Sequence, residues 1–356
     1  MPGGTVVPSV PSGQGDRHAV PPRLRGVSTR TEPHRVQNRS YPGRMPGLTR
    51  PLHVVRSIPD ALADARPAIS VEFFPPKDDA GEAMLWEAIR QLEKARPTFV
   101  SVTYGAGGSF RDRTIRLTDR IARETTLTPM AHLTCVGHSV TELRNIVGHY
   151  ANGGVRNVLA LRGDPQGGLD QPWVSHPEGL DHAEDLVRLV RDLGPFTVGV
   201  AAFPDQHPES PSLDADADVL VRKADAGAAF AISQFFFTTD AYVRLRDRVA
   251  ARGRDLPIIP GLMPVTNVRQ LARMTELSGQ PVPESVTSRL LAVDGDPTAV
   301  REVGVEIATE LAQQLLDEGA PGLHFITMNR SPATLHVWRN LGLEAAQWAA
   351  SHPESR

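Results

Sequence analysis

Glu72 stands between Val71 and Phe73 in the apolar run Ile69–Phe74, where a carboxyl group is out of place unless it has work to do. Burial among large apolar side chains raises a carboxyl pKa, which would make Glu72 a general acid near neutral pH. The other reading is a glutamate paired with an arginine or lysine at a strand end, since ion pairs also perturb acids. Polar residues recur at the ends of the short apolar runs that follow. Thr103 and Tyr104 close the second, His132 and Thr134 the third, Arg162-Gly163-Asp164 the fourth, and Phe203 with His207 the fifth. Gln234 closes the sixth, Asn267 and Gln270 follow the seventh, and Thr327, Asn329 and Arg330 end the eighth.

Several of these have a second reading. Asp164 precedes Pro165 and could equally start a turn. Gly105-Ala106-Gly107-Gly108-Ser109 either wraps a phosphate at a helix start or makes a tight turn. A lone histidine in an apolar strand, such as His132, is commonly a hydrogen-bonded core residue. His207 lies in Phe203-Pro204-Asp205-Gln206-His207-Pro208, a loop in which binding is more credible. Arg222 and Lys223 either reach an anion or line a solvated helix face. HExxH, CxxC and GxSxG patterns are missing, and no acidic cluster has metal-ligand spacing, so neither a metal nor a Ser or Cys nucleophile is expected.

The elements that must carry these residues are eight short runs: Ile69–Phe74, Phe99–Thr103, Met130–Thr134, Asn157–Leu161, Thr197–Ala202, Phe230–Phe235, Pro257–Gly261 and Gly322–Thr327. Helical spacing fills the gaps: Leu85, Ile89 and Leu92 share a face, as do Ile115, Leu117 and Ile121, then Leu186, Leu189 and Val190, then Tyr242, Leu245 and Val249. Eight strand–helix pairs make an α/β chain with the count of a single (β/α)₈ TIM barrel, whose catalytic groups sit at the C-terminal strand ends. An open doubly wound sheet would show a glycine fingerprint after its first strand. Here that strand ends in Phe73-Phe74-Pro75-Pro76, and the later Gly-rich turn does not match GxGxxG.

The apolar share of 40% supports a sizeable core, and a net charge of −3 gives no pull toward nucleic acid or anionic membrane. No apolar run approaches the roughly 18–20 residues of a membrane span. The single cysteine, Cys135, excludes intramolecular disulfides and multi-cysteine metal sites, which fits a reducing cytoplasm. Residues 1–50 are rich in Pro, Gly, Ser and Arg, with only Asp16 and Glu32 acidic. They are expected to be a disordered extension or a mis-called start, with Met45 as the alternative, and residues 51–350 to form the barrel.

From Ile69 to Leu343 the chain closely resembles the methylenetetrahydrofolate reductase family. The resemblance rests on eight blocks in unbroken order: SVEFFPPK from Ser70, SVTYGAGGS from Ser101, HLTCVGHS from His132, LALRGDP from Leu159, VAAFPDQHPES from Val200, KADAGAAFAISQFFF from Lys223, PIIPGLMPVTN from Pro257 and HFITMNRS from His324. It implies a flavin-dependent barrel that uses NADH or NADPH to reduce 5,10-methylenetetrahydrofolate to 5-methyltetrahydrofolate, feeding methionine synthesis. Hydride would pass through flavin N5 in ping-pong order. By position, Glu72 matches the family's catalytic acid and Asp164 the aspartate near flavin and folate. Gln234, Gln270 and Arg330 match folate contacts. Thr103, Tyr104, Ala106, His132, Arg162, Gly163, Asp164, Ala183, Phe203, His207, Asp216 and Lys223 match FAD contacts.

Phe203 departs from the tyrosine of many relatives, which keeps a stacked ring and loses a hydroxyl. His182 stands where some relatives have tyrosine. The chain ends soon after the barrel, as in bacterial members, so regulation by S-adenosylmethionine is not expected. The expected partners are the folate substrate and further copies of this chain, with neither nucleic acid nor membrane. Two other readings stay open: a non-catalytic flavin- or folate-binding sensor or scaffold, and a barrel lyase using the GAGGS turn for phosphate. The second lacks an evident Schiff-base lysine at a strand end.

Overall fold

A computed structural model describes residues 57–64, 66–104, 108–165, 171–279 and 281–343. The compositionally distinct residues 1–50, and Ala106 in the Gly-rich turn, lie outside the described residues. Eight parallel strands close into a barrel in sequence order: β1 Ala68–Phe73, β2 Phe99–Val102, β3 Pro129–Thr134, β4 Asn157–Leu161, β5 Thr197–Ala202, β6 Phe230–Phe235, β7 Ile258–Leu262 and β8 Gly322–Ile326. Closure is made by β1 on β8, in register from Ala68 beside Gly322 to Glu72 beside Ile326. Each strand lies within a residue or so of the run that foretold it. Parallel strands buried on both faces read as continuous apolar segments, which makes them easy to see.

The helices are α1 (Ile58–Leu62), α2 (Asp79–Lys94), α3 (Gly108–Glu124), α4 (Val140–Gly153), α5 (Ala183–Asp192), α6 (Leu213–Asp225), α7 (Thr239–Ala251), α8 (Val268–Ser278), α9 (Glu284–Leu291), α10 (Pro297–Asp317) and α11 (Pro332–Asn340). They pack on the outside of the sheet through the expected stripes. Leu85, Ile89 and Leu92 of α2 are buried, as are Leu186, Leu189 and Val190 of α5 and Tyr242, Leu245 and Val249 of α7. In α3, Leu117 and Ile121 are buried, while Ile115 is only partly covered. Burying each such side chain is worth about 1.5–3 kcal/mol, so this outer layer carries most of the fold. The long segment between β7 and β8 holds α8 and α9 in addition to the covering helix α10. Among the described residues, no helix is long and apolar enough to cross a membrane.

Alternate strand residues point inward. The lower interior is apolar: Phe99, Met130, Leu159, Phe230, Ile232 and Ile259 form one buried cluster, closed by Ile58 of α1. Gly199 of β5 makes room there, since a Cβ would lie 2.5 Å from the Phe230 ring. Above this plug the interior turns polar. Ser70, Ser101, His132 and His324 are all buried at the next level, directly below the strand ends.

Candidate active site at the barrel mouth

A cavity of about 640 Å³ opens over that polar layer, within the usual range for small-molecule sites. Residues on or just past β1 to β6 and β8 line it, so one mouth is furnished strand by strand. Glu72, Thr103, Tyr104, His132, Arg162, Gly163, Asp164, Ala183, Phe203, His207, Asp216, Lys223 and Gln234 all lie on its wall. Thus the structure gathers thirteen of the expected site residues around one space.

Glu72 sits in the floor, its side chain 13% exposed, with Oε2 3.5 Å from Nε2 of both His132 and His324. His324 is held from the other side, its Nδ1 2.8 Å from the Ser70 hydroxyl. This corrects the expectation of a carboxyl with a raised pKa. Burial does push Glu72 up, but the His324 hydrogen bond and the nearby imidazole charges outweigh it, and the balance lies below the ordinary range. Nor is the partner an arginine or lysine. His132 is buried as a strand histidine should be, and burial lowers its pKa to about 4, so its ring is neutral at neutral pH. Its Nε2 is buried yet makes no hydrogen bond, which leaves a polar atom at the cavity with capacity for a ligand.

Another part of the wall carries Arg162, His207 and Lys223 together with the carboxylates of Glu209 and Asp216. Arg162 is bound by both carboxylate oxygens of Glu209, and its guanidinium lies 5.3 Å over the Trp173 ring. The Trp173 indole in turn donates to Gly163 O at 3.1 Å. Gly163 itself adopts φ 87°, and a Cβ there would lie 2.5 Å from Val136, so only glycine fits this wall. Asp216 of α6 accepts from the His207 backbone at 2.9 Å and fixes the loop after β5. The Phe203 and His207 rings meet edge to face at 4.6 Å. Lys223 keeps part of its surface open to the cavity, but its ammonium lies deep, donating to Ala201 O at 3.0 Å. Desolvation pushes its pKa down to about 8. Of the two readings of Lys223, the solvated helix face is therefore ruled out, whereas Arg222 is exposed and pairs with Glu184.

Gln234 lies where the β6–β7 register shifts between Ile232 and Phe235, and its Oε1 accepts from Phe235 N at 3.0 Å. Bulges commonly re-aim a side chain beside a site. Asp164 is exposed at the rim, and no hydrogen bond among the described residues ties it into a turn. Two expected contacts stand off the wall. Gln270 is on the first turn of α8, whose N-cap is Asn267, while Met274 one turn later reaches the cavity. Arg330 is exposed on the loop after β8.

The structure also adds residues. His182, the N-cap of α5, lines the wall without making a side-chain cap bond, so the first amides of that helix keep donor capacity there. His138 places the Tyr104 hydroxyl, with Nε2 at 3.1 Å. His324 was visible only as a polar residue inside the apolar run Gly322–Thr327, the same signal that marked Glu72 and His132. Cys135 is buried, and burial drives its thiol up to about 12, so it has no nucleophilic part. Among the described residues, no group of three or more His, Cys, Asp or Glu side chains could hold a metal.

A closed parallel barrel with a buried carboxyl–imidazole cluster under its mouth has the architecture of barrel enzymes. A family model described as methylenetetrahydrofolate reductase matches residues 57–342. The 5,10-methylenetetrahydrofolate reductase of Pectobacterium carotovorum subsp. carotovorum is 41% identical over 276 residues, covering 77% of this chain and 90% of that protein. That of Escherichia coli (strain K12) is 39% identical over 275 residues, with the same coverage of 77% and 90%. Methylenetetrahydrofolate reductase (NADH) 1 of Zea mays is 34% identical over 303 residues, which are 82% of this chain and 51% of the plant protein. This chain belongs to the methylenetetrahydrofolate reductase family. Membership supports reduction of methylenetetrahydrofolate, an oxidoreductase reaction of folate one-carbon metabolism. Among solved structures, an uncharacterized protein from Clostridium thermocellum that binds two copies of 5-methyl-5,6,7,8-tetrahydrofolic acid shares the fold, at a TM-score of 0.56 and 14% identity over 80% of this chain and 96% of that one.

Proposed function

We propose that this chain is an FAD-dependent reductase that converts 5,10-methylenetetrahydrofolate to 5-methyltetrahydrofolate at the expense of NADH or NADPH, with Glu72 as the general acid. The product would feed methionine synthesis. The observation that carries the reading is Glu72 in the cavity floor, between two imidazoles and below an opening large enough for stacked rings.

The residues present fit FAD. The buried, unbonded Nε2 of His132 offers a polar contact to a ring system, and Leu159, Leu161, Ala202, Leu220 and Ile232 supply an apolar wall. Arg162, His207 and Lys223 would hold its pyrophosphate, helped by the uncapped start of α5. When bound, FAD supplies the two-electron relay between nicotinamide and folate.

The rest falls to the chain's own residues. Opening the five-membered ring of the substrate requires a proton at N10, and Glu72 would deliver it. In the open mouth Glu72 is a carboxylate, so it must take up a proton when ligands expel water above it; His324 bridges Ser70 and Glu72 and fixes the carboxyl in place. Asp164 at the rim would stabilise the cationic form of the opened substrate. Gln234 would orient the pterin, and Gln270 and Arg330, off the wall, would meet the folate once it extends past the opening.

Anaerobic absorbance spectra test the whole reading. A flavin band that bleaches with NADH or NADPH and returns with methylenetetrahydrofolate is the expected result. Protein that takes up no flavin even from added FAD would overturn it. The Lys223 charge makes a further expectation. Anionic FAD favours the ammonium form, and the folded protein sheds that proton near pH 8. FAD affinity should therefore hold below pH 8 and fall above it, by at most about tenfold per pH unit for one linked proton. Titrations of FAD into flavin-free protein from pH 7 to 9.5 measure this, and a flat profile would remove Lys223 from the pyrophosphate site.

A further inference from the structure

The loop after β8 holds two consecutive non-glycine residues in left-handed backbone, Met328 at φ 51° and Asn329 at φ 58°. This conformation is unfavourable for residues with side chains, methionine above all, and persists only where the surroundings enforce it. The enforcement is visible. Asn329 Oδ1 accepts from Phe74 N at 2.8 Å, and its Nδ2 donates to Phe74 O at 2.9 Å. Thr327 Oγ1 donates to Glu72 O at 2.8 Å. The Ser331 hydroxyl binds Gln91 of α2, so the far side of the loop is anchored as well.

The Asn329 and Thr327 bonds reach the end of β1 and the chain leaving it. Strand pairing with β8 ends at Glu72, so beyond that point the loop takes over what the ladder no longer does. Phe74 lies on the cavity wall two residues past the carboxyl, and both Phe74 and Met328 pack against the apolar cluster that contains Leu271 of α8. One side chain thus fixes the backbone beside the acid to the loop that carries Arg330.

We propose that Asn329 is a positioning residue for the folate step. Its side-chain amide closes a two-bond clamp on Phe74, which keeps the Glu72 carboxyl and the Phe74 ring at a fixed height over the polar layer and in register with Arg330. The clamp serves proton delivery to folate and not the nicotinamide step. It rests on the reading of Glu72 as the acid.

Asn329→Gly is the sharpest test, because glycine accepts the left-handed backbone without strain and removes both clamp bonds. Amide exchange at Phe74, measured in the protein without substrate, should quicken. Flavin reduction by the nicotinamide should stay within about twofold, while the folate half-reaction should fall about tenfold or more in kcat with KM little changed, as misplacement of a reacting group demands. Asn329→Asp keeps the acceptor and loses the donor, and should show the same split to a smaller degree; it stands in if the glycine variant does not fold. Normal folate reduction in Asn329→Gly beside an inactive Glu72→Gln would overturn the clamp alone. Equal losses in both half-reactions with a lowered Tm would also overturn it, since that is the mark of a scaffold residue. Folate turnover surviving in Glu72→Gln would remove the acid and the clamp's purpose together.

Discussion

Glu72→Gln is expected to slow folate reduction by about 10²–10⁴-fold, the usual contribution of a positioned acid, while flavin reduction by NADH or NADPH stays within about twofold. The amide keeps the size of the side chain and its place 3.5 Å from His132 and His324, so the cavity floor should survive. What it loses is a titrating proton. The wild-type folate step should slow as pH rises, because the acid form is the active one, and this slope should vanish in the variant. Stopped-flow measurement of the two half-reactions across pH separates these effects. Near-normal folate reduction by Glu72→Gln would end the acid assignment.

The largest effect on stability is expected at Gly304, in the middle of α10. A Cβ there would lie 1.7 Å from the carbonyl oxygen of Val265, a backbone atom that cannot step aside. Helix propensity alone would favour alanine by about 1 kcal/mol. The clash decides the sign: Gly304→Ala should cost about 3 kcal/mol or more, lowering Tm by roughly 5–10 °C. Gly148 of α4 is the control, since a Cβ there meets nothing within 4 Å. Gly148→Ala should gain up to about 1 kcal/mol by propensity. Thermal melts of the two variants should therefore move in opposite directions. A Gly304→Ala protein as stable as wild type would mean that α10 and the Val265 loop do not approach as closely as described.

The barrel was legible from residues alone because its strands are buried on both faces and its helices on one. Those two periods differ, and each leaves its mark in the order of apolar residues. The additional helices α8 and α9 were not visible, since they fill a loop whose apolar residues pack on a local cluster and repeat no barrel pattern. At the site, residue types told more than charges did. Glu72 was conspicuous in an apolar strand, yet the direction of its pKa depends on His132 from β3 and His324 from β8, which no local spacing brings beside it. Asn329 was named only as a strand-end polar residue, and its clamp on Phe74 spans 255 positions of chain. The register shift beside Gln234 is a property of the β6–β7 pair and not of either sequence segment.

The apolar plug beneath the polar layer makes the mouth a blind well. Phe99, Phe230 and Ile259 are fully buried, and Ile58 closes the base, so nothing passes down the barrel axis. On the proposed reading, nicotinamide and folate must come and go through one doorway. Each visitor then blocks the next, and a reductant that lingers is an obstacle to its own purpose. Weak nicotinamide binding would be no defect in such a vessel, because prompt departure of the first guest sets how soon the second can enter.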